Sequence, residues 1–338
     1  MSSEQKVVAI TGASGHLGSK LLEHLEGAPW LGKLVAFDTR PLRTPVSNIA
    51  TFRNDVSQSI FAELDRHRVS SLVHLAFQWR KGLRRREADD LSERNYKMLD
   101  EVARSCVAAG VRHIIYISSH SVYGPGPDCP TPLSEDWPAR PAPGYPYAED
   151  NLRAEERLLQ LSEDHPETDV TILRSCPALG AYASIDLLRE QYFPGWLGLS
   201  DYNPPLQFVG DDDLARIVYL VIQQEHPGIF NVAADGVVFL REFARELAAK
   251  RVQLPAVAAH PIRRLTGGAY VANNHYLDRW PVVMSTARLR QTTGYRFHLN
   301  SLEALTALIS YNEEFQDRPP ALREVRREKP EPRTITIR

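Results

Sequence analysis

Short apolar runs alternate with amphipathic segments along the first 120 residues of the chain. The runs predict strands at 7–10, 34–37, 50–52, 71–75 and 113–117. Apolar residues recur at helical spacing over 17–25, and a second helix is predicted over 95–109, ended by Gly110. Short apolar strands separated by helices predict an α/β fold in which helices cover both faces of a parallel sheet.

The rest of the chain is less regular. After a proline-rich loop (125–146), the pattern predicts a helix that carries Leu152, Leu158, Leu159 and Leu161, and then a strand at 170–173. The stretch 177–205 is irregular and aromatic, and it precedes a helix at 211–222 and a strand at 229–232. The charged, proline-containing residues 313–338 are predicted to form a tail or an arm.

Composition narrows the classes of function. The chain has 338 residues, 43% of them hydrophobic, and a formal net charge of -2, which gives no electrostatic argument for a nucleic-acid partner. Three widely spaced cysteines suit a reducing compartment, and no histidine pair has metal-ligand spacing, so neither a disulfide framework nor a metal is expected. No segment is apolar enough for a signal or a membrane span, and a cytoplasmic protein without a membrane partner is expected.

The first strand runs into a glycine-rich turn. Residues 11–18 read TGASGHLG and open the first helix. Gly12 permits the turn, Gly15 lets a pyrophosphate approach the backbone, and Gly18 allows the helix to pack on the strand. Asp38 ends the second strand, where a carboxylate can bind a ribose hydroxyl. This pattern predicts NAD binding, although Arg40 and Arg43 also leave NADP compatible with the sequence.

With these motifs, the chain resembles the extended short-chain dehydrogenase/reductase family, the NAD-dependent epimerase/dehydratase group, from about residue 6 to residue 310. The resemblance rests on the glycine-rich turn, on His74-Leu75-Ala76, on Asn95 at the start of its helix, and on residues 117–124, which read ISSHSVYG. Weaker similarities are the segments at 173–177, 208–215 and 230–232.

The resemblance implies a set of site residues. Ser119 and Tyr147 would be the catalytic hydroxyls, with Asn151 at the position of the family's lysine. The implied cofactor-binding residues are Gly12, Ser14, Gly15, His16, Leu17, Gly18, Asp38, Arg40, Asp55, Val56, Leu75, Ala76, Asn95 and Pro177.

The main departure from the family pattern lies at residues 147–151, which read YAEDN in place of Tyr-x-x-x-Lys. A tyrosine transfers protons more readily when a nearby ammonium lowers its pKa from about 10. Asn151 carries no charge, although its amide can still bind a ribose hydroxyl, and Glu149 and Asp150 would raise the pKa of Tyr147. Replacement cations could come from His120, Arg80 or Lys81, but a loop histidine and exposed charges explain these residues more simply.

Other polar clusters have simpler explanations too. Asp211, Asp212 and Asp213 could suggest a metal, but a helix starts there and N-capping is the better interpretation. His74 ends a buried strand and is expected to be packed. The serines around His120 lack the GxSxG context of a hydrolase. Aromatic residues could line a substrate pocket or form a core, and the sequence does not separate these two roles: Tyr182, Tyr192, Phe193, Trp196 and Tyr202.

The resulting expectation is a Rossmann-type doubly wound parallel sheet with a smaller, discontinuous C-terminal substrate domain. The dinucleotide-binding domain would comprise 1–176 and 211–234, and the substrate domain 177–210 and 235–312. The resemblance implies an NAD(P)-dependent oxidoreductase or epimerase of a hydroxylated small molecule, such as a nucleotide sugar, and a homodimer formed through helices 95–109 and 148–163. Two alternatives remain open. One is a non-redox lyase, dehydratase or cyclase of secondary metabolism, and the other is a non-catalytic sensor that binds the cofactor.

Overall fold

A computed structural model describes residues 5–78, 85–143, 145–180, 197–199, 203–247, 252–254 and 280–316. Its strands are β1 (Lys6–Thr11), β2 (Leu31–Phe37), β3 (Ile49–Phe52), β4 (Ser71–His74), β5 (His113–Ser119), β6 (Asp169–Ser175), β7 (Ala178–Leu179), β8 (Leu197–Leu199), β9 (Pro205–Leu206), β10 (Val209–Gly210), β11 (Gly228–Val232), β12 (Val238–Phe239) and β13 (Val252–Leu254). Its helices are α1 (His16–Leu25), α2 (Phe61–His67), α3 (Arg85–Ala108), α4 (Pro146–Asp164), α5 (Asp211–Gln224), α6 (Leu240–Glu246), α7 (Ala287–Thr293) and α8 (Ser301–Gln316), with a 3-10 turn at His120–Tyr123.

Seven strands form one parallel sheet in the order β11-β6-β5-β4-β1-β2-β3. The predicted parallel sheet and Rossmann-type topology are confirmed. The chain leaves β1 towards β2 and β3, and then returns to β4 on the other side of β1. Ligands of such sheets bind at this reversal, beyond the carboxyl ends of the strands.

Both faces of the sheet are buried, as the apolar runs predict. On β1, Val8 and Ile10 face a cluster that contains the apolar side of α1 and α5, whereas Ala9 faces a cluster with α2, α3 and α4. Leu21 and Leu22 are fully buried in the first cluster. Each such leucine contributes about 1.5–3 kcal/mol relative to an exposed one, so packing on the sheet fixes these helices.

The start of α3 differs from the sequence prediction. The helix begins at Arg85, ten residues before Asn95, so Asn95 lies inside the helix and does not open it. Residues 85–94 are mostly charged and lack an apolar stripe, and the stretch 87–94 lies at the surface. Without an apolar stripe the helical period is not visible, which is why the prediction placed the helix start too late. The short helix α2 was not predicted either.

A separate apolar cluster lies outside the large sheet. It joins residues of β7, β12, α6 and α8, including Leu179, Phe208, Phe243 and Leu305. Phe208 and Phe243 contact each other with ring centroids 4.8 Å apart. These segments come from the two stretches that the sequence assigns to the substrate domain, whose boundaries stay a prediction.

Two further observations concern the chain as a whole. All three cysteines are free. Within the described residues, no helix combines the length and the apolarity that crossing a membrane requires.

Candidate active site

The glycine-rich turn leaves no room for a side chain at Gly12 or Gly18. Gly12 has a φ of +71°, and a Cβ there would lie 2.8 Å from backbone atoms of Leu75 and Ala76. A Cβ on Gly18 would lie 2.5 Å from the carbonyl oxygen of Gly12. Gly15 is the N-cap of α1 and supplies no capping side chain, so the first N–H groups of the helix are not covered by it. This arrangement fits a pyrophosphate that approaches the backbone.

Asp38 is fixed at the carboxyl end of β2. Its side chain is largely buried, and it accepts hydrogen bonds from the backbone N–H groups of Ser14 and Arg40, both at 2.9 Å. Ser14 Oγ in turn donates to the carbonyl of Arg40 at 3.0 Å. The carboxylate therefore stands rigidly beside the glycine-rich turn, where the sequence places the adenosine ribose.

A cavity of about 240 Å³ opens next to Asp38. It brings together most of the predicted adenosine-side residues, and it is lined among others by Gly12, Gly15, Asp38, Arg40, Asp55, Val56, Leu75 and Ala76. The cavity lies at the reversal of the sheet, on both sides of the end of β1. A carboxylate in a cavity beside a glycine-rich turn is compatible with the adenosine half of a dinucleotide.

Three predicted cofactor residues have side chains that serve other contacts. His16 Nε2 lies 2.9 Å from Asp211 Oδ2, which links α1 to α5. Leu17 packs against the apolar cluster under α1. Asn95 binds the backbone of Gln78 in both directions, at 2.9 and 3.0 Å, and so holds the loop after β4.

His74 is packed, as expected. Its Nδ1 lies 2.8 Å from Thr11 Oγ1, and burial lowers its pKa to about 4. The backbone N–H groups of Leu75 and Ala76 bind the same hydroxyl at 3.2 and 3.3 Å. Thr11 thus ties the ends of β1 and β4 together at the floor of the cavity.

Ser119 ends β5 with its hydroxyl in a defined orientation. Its Oγ accepts hydrogen bonds from the N–H of Ser121 at 3.2 Å and from the hydroxyl of Ser121 at 2.9 Å. Because both lone pairs are engaged, the Ser119 O–H is the group that donates, and His120 Nδ1 also lies within 3.5 Å of Ser119 Oγ. A hydrogen bond between Ser119 and Tyr147 lowers the pKa of Tyr147, which agrees with Ser119 as a donor to the phenol oxygen.

Tyr147 stands in the first turn of α4, against the end of β4. Its ring meets Phe77 edge-on, with centroids 5.5 Å apart. Burial raises the pKa of Tyr147, while hydrogen bonds from Ser119 and Asn151 oppose that rise. The pKa of Tyr147 is therefore raised, as the sequence predicted, but the cause is burial and not the carboxylates of Glu149 and Asp150. Glu149 is exposed, and Asp150 shares hydrogen bonds with Ser92 and Asn95.

Asn151 is buried beneath Tyr147, with only 1% of its surface exposed. Its Nδ2 donates to the backbone carbonyl of Tyr147 at 2.7 Å, and its Oδ1 accepts from the hydroxyl of Tyr116 at 3.0 Å. The amide thus turns inward to Tyr116, a contact that the sequence reasoning missed. One signal was available, since Tyr116 is a tyrosine inside an otherwise apolar strand.

The described residues supply no cation that lowers the pKa of Tyr147. Burial lowers the pKa of His120 to about 4, so this residue is neutral at neutral pH. Arg153 binds Glu93 at 2.5 Å and lies over the ring of Tyr96, on another face of α4 as expected. Arg80 and Lys81 lie outside the described residues.

The substrate side of the site is only partly described. Pro177 follows β6, and its carbonyl accepts from the N–H of Val209 at 3.2 Å. The five aromatic residues that could wall a substrate pocket, at 182, 192, 193, 196 and 202, lie outside the described residues.

The three aspartates at the start of α5 are not N-caps. The cap position is Gly210, and no side chain caps the helix. Asp211 binds His16, and Asp212 binds His24 and Arg216. Asp213 accepts from Tyr295 and lies 2.7 Å from His298 Nδ1. The N-capping interpretation is therefore wrong, because Asp211 and Asp212 bind histidines of α1 and Asp213 binds the segment after α7.

Comparison with known proteins agrees with this geometry. Residues 8–233 match the model of the NAD dependent epimerase/dehydratase family. An uncharacterized protein of Mycobacterium tuberculosis is 25% identical over 319 residues, which cover 88% of this chain and 82% of that protein.

Solved structures share the fold at low sequence identity. MoeE5 in complex with UDP-glucose and NAD has a TM-score of 0.69 at 22% identity, covering 92% of this chain and 99% of that one. The UDP-glucose 4-epimerase of Thermus thermophilus in complex with NAD has a TM-score of 0.70 at 19% identity, covering 91% and 99%. WbmG of Bordetella bronchiseptica in complex with NAD has a TM-score of 0.69 at 19% identity, covering 93% and 96%.

The family model spans the glycine-rich turn, both candidate catalytic hydroxyls and the strands that carry them. The chain therefore belongs to the NAD dependent epimerase/dehydratase family.

Proposed function

We propose that this protein is an NAD-dependent epimerase or oxidoreductase that acts on a nucleotide sugar, with Ser119 and Tyr147 as its proton-transfer pair. Membership of the family supports the reaction class. The solved structures of similar fold include proteins in complex with UDP-glucose, UDP-glucuronic acid and NAD, which supports the substrate class. The glycine-rich turn and Asp38 support NAD over NADP, since a carboxylate repels a 2′-phosphate.

The observation that carries the proposal is the meeting of two hydroxyls beside the cofactor cavity. The Ser119 hydroxyl lies close enough to Tyr147 to lower its pKa, and Tyr147 contacts Phe77, which lines the cavity together with Ala76. The glycine-rich turn, Asp38, Val56 and Ala76 would hold the dinucleotide. When bound, NAD supplies a hydride acceptor and donor for a carbinol carbon.

The side chains of this chain perform the proton step. Ser119 donates to the oxygen that reacts and holds it near Tyr147, while Tyr147 takes up or returns the hydroxyl proton. The raised pKa of Tyr147 keeps it protonated at neutral pH, so it is a better donor than acceptor there. We therefore infer slow proton abstraction at neutral pH and faster abstraction as the pH rises.

A second candidate function follows from the same raised pKa. A tyrosine that stays protonated suits a reaction that needs a general acid without hydride transfer, such as a lyase or dehydratase step. Asn151 favours this alternative, because it is neutral and leaves the phenolate without a counter-ion.

The test begins with the cofactor. Purified protein is examined by native mass spectrometry and titrated with NAD and NADP, with tighter binding of NAD expected. NAD-loaded protein is then incubated with UDP-glucose, UDP-glucuronic acid and their 4-epimers, and products are separated by chromatography while absorbance at 340 nm is recorded. Epimer formation or NADH formation supports the proposal. Elimination products without any NADH favour the non-redox alternative, and NAD binding without any product contradicts both.

A further inference from the structure

We propose that Tyr116 is a positioning residue of this site, whose hydroxyl orients the Asn151 amide so that a neutral pair takes the place of a cation beneath Tyr147. The proposal rests on the proposed role of Tyr147 in proton transfer. It extends that role to a strand residue that makes no contact with the cofactor cavity.

The orientation of the Asn151 amide follows from the groups that it faces. The backbone carbonyl of Tyr147 only accepts hydrogen bonds, so the group that faces it at 2.7 Å must be the NH₂ of Asn151. The oxygen of the amide then faces Tyr116, and the tyrosine hydroxyl at 3.0 Å must donate to it. The direction of each hydrogen bond is therefore fixed by the chemistry of the neighbouring carbonyl.

Both members of the Tyr116–Asn151 pair are buried. Tyr116 is 5% exposed and Asn151 is 1% exposed, so water does not replace either partner readily. A buried amide oxygen or hydroxyl that loses its partner is costly, and this cost holds the pair in one arrangement. The Asn151 side chain, held at the backbone carbonyl of Tyr147, also lowers the pKa of Tyr147. An amide that Tyr116 no longer fixes would do so less well.

The groups around Tyr116 keep its hydroxyl protonated. The titratable groups that face Tyr116 are His74 on β4, whose ring stacks at 6.2 Å, and Tyr147, Asp150 and Glu155 on α4. Tyr96 on α3 and Arg153 on α4 border a cavity beside it. Burial raises the pKa of Tyr116, and Tyr147, Glu155 and Asp150 raise it further. Tyr116 thus stays protonated and acts only as a donor to Asn151.

A consequence concerns the lysine that Asn151 replaces. A lysine at 151 cannot accept from Tyr116, so the hydroxyl of Tyr116 would lose its acceptor. Asn151→Lys alone should therefore raise the rate of proton abstraction only slightly. The double variant Tyr116→Phe with Asn151→Lys removes the hydroxyl that has lost its acceptor, and it should raise the rate more. The two substitutions are expected to be strongly non-additive, as for residues in direct contact.

The experiment compares Tyr116→Phe with Tyr123→Phe as a matched control. Both remove a buried hydroxyl that donates to an asparagine oxygen, since Tyr123 donates to Asn231 Oδ1 at 2.7 Å. The titration of Tyr147 is followed by NMR in protein labelled with ¹³C at the tyrosine ring, with NAD present and without sugar. We expect the midpoint to move upward in Tyr116→Phe only, and kcat to fall about tenfold there with a smaller change in KM.

The NMR measurement separates this proposal from the proposed function. An upward shift in Tyr116→Phe supports the pair even if no nucleotide sugar is turned over. An unchanged midpoint, or equal shifts in both variants, overturns the positioning role even if epimerase activity is found. If Tyr116→Phe does not fold, Asn151→Ala tests the pair from its other member with the same two outcomes.

Discussion

At the scale of single residues, the amide of Asn151 determines the surroundings of Tyr147, the proposed proton-transfer group. The amide is not free to imitate the ammonium, because its two ends are held by Tyr116 and by the backbone of Tyr147. Burial then dominates the pKa of Tyr147 and raises it. Asn151 fixes the geometry beneath Tyr147 without adding charge.

Tyr147→Phe should lower kcat by about 10²–10⁴, since the substitution removes the proton-transfer group and leaves the ring in place. Tyr145→Phe is the matched control, because Tyr145 is a buried tyrosine whose ring lies 6.1 Å from that of Tyr147. It should change kcat by less than about tenfold. Steady-state kinetics on the nucleotide sugar found active would measure both losses. A larger loss of kcat in Tyr145→Phe would show that Tyr147 is not the proton-transfer group.

The pH dependence of kcat has a definite sign. The active form for proton abstraction is the phenolate, and the pKa of Tyr147 is raised in the folded protein. The rate should therefore rise with pH throughout the neutral and alkaline range, up to the pH at which the protein unfolds. A bell-shaped profile with a maximum near neutral pH would show that another group abstracts the proton.

At the scale of elements, the site depends on how closely strand ends and helix starts approach each other. Gly12 lets the turn after β1 touch the segment after β4, and a buried ion pair holds α4 to the sheet. Arg174 on β6 binds Glu155 on α4 at 2.6 Å, and Ser118 donates to the same carboxylate at 2.5 Å. Tyr147, Asn151 and Glu155 are spaced at four-residue intervals on one face of α4, so the Glu155–Arg174 pair also fixes the turn that carries Tyr147.

Gly12→Ala should weaken NAD binding more than tenfold, because its Cβ would collide with backbone that cannot move aside. Gly27→Ala shares the strained backbone, with a φ of +74°, but its Cβ would meet nothing within 4 Å. In both variants the positive φ should lower the free energy of unfolding by about 1–2 kcal/mol. Thermal unfolding and NAD titration together would show this, and equal NAD affinities in the two variants would contradict the steric explanation.

Arg174→Met should lower the free energy of unfolding by about 3–5 kcal/mol, because it leaves the carboxylate of Glu155 buried without its partner. Arg157→Met breaks a more exposed pair between α4 and α3, in which Arg157 binds Asp100 at 2.7 Å. This second loss should stay within about 1 kcal/mol. Urea unfolding measures both, and similar losses would mean that the Glu155–Arg174 pair is not the stronger attachment of α4.

At the scale of the whole molecule, the reversal of strand order at β1 decides where the site lies. The ends of β1, β2, β4 and β5 meet there, and they carry the glycine-rich turn, Asp38, Ala76 and Ser119. Only α4 must reach over this edge to bring Tyr147 to Ser119. The segments assigned to the substrate domain share an apolar cluster of their own, and the division of the chain into two domains stays a prediction.

The homodimer stays a prediction, with α3 and α4 as its expected interface. Leu159 on α4 is 36% exposed, so Leu159→Glu should dissociate the dimer if that face is covered by a second copy. Phe61→Glu on α2 is the control, because Phe61 is similarly exposed at 41% but lies on a different helix. Sedimentation velocity would read out both, and a monomeric parent protein would rule the dimer out.

Much of the fold was predictable because its strands are short, apolar and buried on both faces. The strands from β1 to β6 and β11 were all anticipated within a few residues, and so were α1, α4 and α5. The first ten residues of α3 were missed, since a charged helix at the surface shows no apolar period. The partners of Asp211, Asp212 and Asp213 were missed because they come from distant parts of the chain.

The sequence by itself determined the parallel sheet, the glycine-rich turn with Asp38, and the absence of a lysine four residues after Tyr147. These follow from local patterns, in which backbone freedom and side-chain type act within a few residues. Only the tertiary structure decided that Asn151 turns towards Tyr116, that His16 binds Asp211, and that burial sets the pKa of Tyr147. The physical reason is that hydrogen-bond partners and burial depend on which distant segments the fold places side by side.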